Sequence, residues 1–286
     1  VRKGILCNDA KCTSTKQVTV DPRIKPYLNI YAPASITTGD TGKFLFAANR
    51  LGDEKFIIGK VDHYFTTNTV LNGHYSYDNT SLTAPDFYNQ KDSAAPSRKI
   101  NGIISLQHIF TPTLINNTRA GVTRNRAGNA IDCCVRFAPL EDLSLGFVPG
   151  RPVGTFNTTG ISGTSNFGGI GTSGLNDFHY TAPQLYNDTT WTRGRHTIKF
   201  GAGIERVLSN IDERNRPNGL WTFDSIEKML LVQPSQFSAM IPGSDTVRGS
   251  RNSIIGGYIQ DDFRILSNLT LNIGVRYDMS TVIKEV

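Results

Sequence analysis

Apolar and polar side chains alternate from Arg251 to Tyr277, in two runs separated by Leu266-Ser267-Asn268. In the second run Leu269, Leu271, Ile273, Val275 and Tyr277 share one parity. Thr270, Asn272, Gly274, Arg276 and Asp278 share the other. Successive side chains of a strand point to opposite faces, so this pattern predicts a hairpin with one continuously apolar face. Three further hairpins repeat it. Ile57, Gly59, Val61, His63 and Phe65 alternate with Ile58, Lys60, Asp62 and Tyr64, and a return strand follows from Leu71 to Tyr77. Ile100 to Phe110 turns at Pro112 and returns from Leu114 to about Arg126, with Asn117, Arg119, Thr123 and Asn125 on its polar face. Gln184 to about Val207 turns at Arg193-Gly194-Arg195, and Ile198, Phe200, Ala202 and Ile204 oppose Lys199, Gly201, Gly203 and Glu205.

The predicted architecture is all-β: about eight antiparallel strands in four hairpins. Short turns alternate with long connections, Asp78–Arg98, about Ala127–His179, and from Val207 to Arg251. A strand of about 9–11 residues crosses a bilayer at a tilt, and outer-membrane barrels alternate short periplasmic turns with long extracellular loops. The rhythm therefore predicts part of a transmembrane β-barrel. Phe65, Phe110, Trp191 and Phe263 precede the short turns, where an aromatic girdle belongs. Tyr75, Tyr77 and Tyr277 lie toward the opposite ends. Two short helices are expected outside the strands. One is capped at Asp21-Pro22 and runs through Tyr31. The other spans Ser225 to Val232, with Ile226, Met229 and Leu230 on one side.

A hydrophobic fraction of 38% is low for a buried α/β core, and it suits a wall whose strands wet one face. No apolar run is long enough for a membrane helix. The net charge of +6 is spread along the chain rather than clustered, which disfavours a nucleic-acid partner. Cys7 and Cys12 are close enough to close a small loop, a candidate disulfide. Cys133 and Cys134 are adjacent.

The candidate chemistry is sparse. The five histidines lack metal-ligand spacing. Asp261 and Asp262 are neighbours on a strand and point apart, so they do not form an acid/base dyad. Asp261 also falls on the apolar parity, beside Ile259 and Phe263, which the alternation leaves unexplained. Gly163–Gly174 is glycine-rich without a phosphate-loop signature and reads as a loop. Lys60, Asp62, Arg119, Lys199, Glu205 and Arg276 are the candidate lumen-facing residues, for bracing or substrate contact. No catalytic residue, cofactor or metal is expected.

The segment GGYIQDDFRILSNLTLNIGVRYD, Gly256–Asp278, resembles the strand-pair signature of TonB-dependent outer-membrane receptors. KVDHYFTTNTVLNGHYSYD, Lys60–Asp78, and TRGRHTIKFGAGIER, Thr192–Arg206, are similar to hairpins of the Oar-like branch of that family. The resemblance implies a barrel of about 22 strands around a plug, energised through a TonB box and located in the bacterial outer membrane. It further implies that residues 56–286 are a middle portion of the barrel and residues 1–55 an extracellular loop region. Outer-membrane lipid, the TonB complex and an extracellular solute would then be the partners. Two other architectures fit the same alternation: a self-standing small barrel with a structural or adhesive role, and a soluble β-sandwich.

Overall fold

The computed structural model describes residues 1–161, 174–241 and 243–286, and for 130–134 the backbone only. Its main element is a sheet of eight long strands. They are β1 (Leu51–Thr66), β2 (Thr69–Pro85), β3 (Lys91–Thr111), β4 (Leu114–Val135), β5 (Leu175–Arg193), β6 (His196–Glu213), β7 (Val247–Leu266) and β8 (Leu269–Ser280). Each pairs antiparallel with its sequence neighbours, from β1 at one edge to β8 at the other. Lys284–Glu285 adds a short rung on β7 at Ser250–Arg251.

The four hairpin turns hold two residues each: Thr67-Asn68, Pro112-Thr113, Gly194-Arg195 and Ser267-Asn268. Pro112 costs no ladder bond there. Gly194 has φ +61°, a left-handed backbone that glycine adopts without strain.

The strands are longer than the alternation alone suggests. β3 and β4 run 21 and 22 residues, about twice a membrane crossing. The expected long connection at Asp78–Arg98 is instead the ends of β2 and β3 joined by residues 86–90. Asp78, Asn79, Thr80 and Ser81 pair in register with Lys99, Arg98, Ser97 and Pro96. Apart from Pro96 their side chains are polar on both faces, so they carry no amphipathic signal, yet their backbones keep the ladder. The first strand likewise starts at Leu51 rather than Phe56.

At the end of the sheet opposite the turns, the remaining segments fold into a cap. Residues 1–43 are not structureless. Ile5–Cys7 pairs with Thr15–Gln17, and Ile36–Thr38 with Thr41–Lys43. The Cys7–Cys12 disulfide closes the first of these small hairpins. A 3-10 turn, Pro22–Ile24, leads into α1, Lys25–Leu28, with Asp21 accepting from the Arg23 amide. After β4, Thr155–Thr158 pairs in parallel with Leu220–Phe223, which pairs with Gln236–Ser238. α2 spans Ile226–Leu230, capped by the Ser225 hydroxyl accepting from the Lys228 amide. The glycine-rich segment Gly163–Gly174, apart from Gly174 itself, lies outside the described residues.

The cap holds nearly all the buried apolar side chains among the described residues. Ile24, Leu28, Phe156, Phe223, Met229 and Leu230 form one cluster, and Ile30, Leu140 and Val153 a second. Tyr27 joins them and donates to the Leu145 carbonyl at 3.0 Å. Burial pushes the Tyr31 phenol up, and burial beside Asp86 pushes Tyr88 up to about 12. The sheet itself is one layer thick and has no interior. Its apolar residues stand exposed instead, Ile104 at 58% and Val275 at 66%.

Candidate functional site

Cross-strand registers sort the sheet into two faces. One row runs Lys60, His74, Ile103, Gly121, Gln184, Glu205, Ile254, Ser280. The adjacent row on the same face runs Asp62, Asn72, Ser105, Arg119, Tyr186, Gly203, Gly256, Asp278. Arg276 pairs with Tyr258, which pairs with Gly201, two residues from Lys199 and Gly203. Lys60, Asp62, Arg119, Lys199, Glu205 and Arg276 therefore all stand on one polar face. Val61, Ile104, Leu185, Ile204 and Ile255 line the other.

The six form three separate groups rather than one constellation. At the β1 edge, Lys60 lies 3.4 Å from Asp62, which accepts from Asn72 at 2.6 Å. Three strand spacings, about 14 Å, separate that row position from Arg119. Ser105–Asn117 and Asn101–Thr123 hydrogen bonds, 2.7 and 2.8 Å, line the intervening wall. Near the turn end, Lys199 bridges Asp262 at 2.9 Å, and Gln260 holds the second Asp262 oxygen.

The densest group spans β4 to β8. Arg119 Nη2 is 2.5 Å from Asp188 Oδ2. Tyr258 donates to Asp188 Oδ1 at 2.8 Å. Tyr180 and Tyr186 donate to the two oxygens of Glu205, at 3.0 and 3.4 Å. The Arg119 guanidinium carbon lies 5.9 Å from the Tyr186 ring centre, within cation–π range. Arg276 and Asp278 form a two-bond pair at 2.7 and 2.9 Å.

Glycine makes this group fit. A Cβ on Gly203 would come within 2.1 Å of the Tyr186 ring, one on Gly201 within 2.7 Å of the Tyr258 ring, and one on Gly256 within 2.1 Å of the Asp278 carboxylate. Each glycine lets a neighbouring side chain lie flat along the wall instead of standing out from it. The result is a belt of three phenols, two guanidinium groups and three carboxylates. Such a belt can hydrogen-bond and ion-pair a polar surface placed against it. The alternation marks Tyr180, Tyr186 and Tyr258 only as strand positions, and Asp188 likewise. The glycine spacing Gly201-x-Gly203 is the one signal in the chain that points at the belt.

The opposite face has polar exceptions near the turns. Asn116, Thr118, Asn187 and Thr189 bond one another, with Asn116 Nδ2 2.8 Å from Thr189 Oγ1 and Asn187 Nδ2 2.7 Å from Thr118 Oγ1. Mutual satisfaction lets such groups sit on an apolar surface. Asp261 stands on this face too, opposite Ile198 and Ile273. His196 Nδ1 lies 2.6 Å from its Oδ2, which gives one oxygen of a carboxylate on the apolar parity a partner, while Oδ1 is buried with no hydrogen-bond partner among the described residues. Three of the four girdle aromatics pack on a histidine two residues away or across the ladder: Phe65 on His63, Phe110 on His108 and Phe263 on His196, with ring centres 4.3–4.5 Å apart. Among the described residues no three His, Cys, Asp or Glu side chains converge as a metal site.

A search of curated proteins gives no match. The crystal structure of the outer membrane transporter YddB from Escherichia coli is similar in fold, with a TM-score of 0.50 at 12% identity. The alignment covers 83% of this chain and 29% of the transporter's, so this chain spans less than a third of that protein's length. Residues 8–286 match the outer membrane beta barrel domain family. With one face apolar, the other polar, and the family match covering nearly every residue, the chain belongs to the outer membrane β-barrel domain family.

Proposed function

We propose that this chain is a wall segment of a TonB-dependent receptor, and that the belt of Tyr180, Tyr186, Tyr258, Arg119, Asp188, Glu205, Arg276 and Asp278 faces the lumen that a bulky solute crosses. The protein lies in the bacterial outer membrane as a β-barrel, so its apolar face meets lipid and its polar face the interior. The observation that carries the receptor reading is the belt itself. A narrow barrel fills its interior with packed side chains. Here the inner-face groups pair with one another along the wall, a lining that suits a wide barrel facing a plug or solute. The sequence resemblance at Lys60–Asp78, Thr192–Arg206 and Gly256–Asp278 points to the Oar-like branch. The reading is of a transporter without catalytic chemistry, whose partners are outer-membrane lipid, the TonB complex and an extracellular solute.

The test is made on the complete gene product in outer-membrane vesicles. Site-specific cross-linking to the periplasmic domain of TonB, with solute present and absent, reads the coupling. A plug sequence in the reading frame and a solute-dependent cross-link are the expected results. A frame without a plug and no cross-link would leave a self-standing barrel as the better account.

A further inference from the structure

A groove of about 460 Å³ opens beside the Gly194-Arg195 turn. Trp191, Ile198 and Phe263 form its apolar wall, Arg193 and Arg195 its cationic end, and His196 also lines it. It lies on the lipid-facing side: Trp191 and Ile198 are direct cross-strand partners, and Ile198 alternates with the lumenal Lys199.

The charges there are unevenly compensated. Asp261 accepts from His196 at 2.6 Å. Arg193 lies over the Trp191 ring, its guanidinium carbon 5.7 Å from the ring centre. Arg195 Nη1 donates to the Ile265 carbonyl at 3.0 Å. Among the described residues neither arginine has a carboxylate partner. The other three hairpin turns, Thr67-Asn68, Pro112-Thr113 and Ser267-Asn268, carry no cation. Arg195 is thus the one cation within the two-residue turns, with Arg193 before it and Arg264 donating its amide to the Arg195 carbonyl.

Position decides what can fill the groove. The turn end of the lipid face is where the headgroups of the periplasmic leaflet lie. A ligand there must offer an anion at the level of the turn and hydrocarbon deeper along the wall. Arginine's planar fork matches phosphate oxygens in pairs, and Trp and Phe suit the boundary between headgroup and acyl chain. We propose that this groove binds a phospholipid of the periplasmic leaflet, with its phosphate held by Arg193 and Arg195 and its upper acyl carbons against Trp191, Ile198 and Phe263. The inference depends on the outer-membrane placement and not on the transport reading, so either can fail alone.

Native mass spectrometry of the full-length protein, exchanged into detergent with defined lipids, tests it. Dioleoyl phosphatidylglycerol should be retained about tenfold or more tightly than dioleoylglycerol, which has the same chains and no phosphate. Arg193→Gln with Arg195→Gln should abolish that preference, while Arg248→Gln at the far end of β7 should leave it. If the double variant does not fold, a phosphatidylglycerol carrying a photoreactive acyl chain is applied to the unmodified protein, and label should map to residues 191–198 or 263. Equal retention of the two lipids would overturn the proposal. So would displacement of the lipid by an equal concentration of inorganic phosphate, or label that maps elsewhere.

Discussion

Tyr258 on β7 reaches across Gly201 on β6 to donate a hydrogen bond to Asp188 on β5, at 2.8 Å. A side chain can bridge two strands this way only where the strand between them carries no Cβ in its path. Gly201→Ala would place a methyl 2.6 Å from the Asn187 carbonyl and 2.7 Å from the Tyr258 ring. Overpacking of this kind costs about 1–3 kcal/mol. Urea unfolding in lipid vesicles should show that loss, and Tyr258→Ala in the Gly201→Ala background should recover part of it. No loss in the single variant would mean that the ring does not lie over Gly201.

The two faces should answer a charge differently. Ile204→Lys places an ammonium on the lipid side of β6. Near the bilayer midplane that costs about 2–4 kcal/mol. Gln184→Lys, on the polar face opposite Glu205, should cost far less. Vesicle unfolding of the two variants under one set of conditions makes the comparison. Equal costs would contradict the assignment of faces.

How much of this was legible in the sequence depends on what each residue contributes to an alternation. Within the membrane-spanning portion, parity alone placed Lys60, Asp62, Arg119, Lys199, Glu205 and Arg276, and the registers carry all six to one face. Beyond it the signal vanishes. Asp78–Ser81 and Arg98–Lys99 meet water on both sides, so polar strands read as loop. Asp261 was opaque because its partner, His196, lies 65 positions away. The belt of tyrosines was opaque for the same reason: Tyr258 and Asp188 become partners only once the register of three strands is known. The cap was half legible. Local capping chemistry marked Asp21 and Ser225, but nothing local ties Leu28 to Phe223 and Leu230.

The cap should melt apart from the wall. Leu230 is fully buried in it, and Leu230→Ala in a packed core costs about 2–5 kcal/mol. Hydrogen exchange by mass spectrometry should show faster exchange in α1, α2 and Thr155–Thr158, with β5 and β6 unchanged. Loss of protection throughout β5 and β6 would show that cap and sheet unfold as one unit.

Acid should loosen the first cap turn. The Arg23 guanidinium and amide hold the Asp21 carboxyl down to about 2, from an ordinary 3.8. A depressed carboxylate contributes stability above the unfolded-state value and loses it as pH falls through the folded-state value. The contribution is therefore complete above about pH 4 and gone near pH 2. Asp21 is partly exposed and the effect is local. Exchange of the Arg23 and Ile24 amides, corrected for intrinsic rate, should rise across that window, and Asp21→Asn should remove the dependence. A wild-type profile that stays flat from pH 4 to pH 2 would show that the cap does not rely on the ionised carboxyl.

The most direct measurement of the central claim is spin-label accessibility along β6 in the complete protein in lipid vesicles, after Cys133 and Cys134 are replaced by serine. Single cysteines are placed at Ile198, Phe200 and Ile204, and at Lys199 and Glu205. Labels at the first three should collide with oxygen dissolved in the bilayer, and labels at the other two with a water-soluble nickel chelate. The preference should therefore switch between adjacent positions. A preference for the aqueous reagent at all five positions would contradict a wall with lipid on one side and a polar lumen on the other.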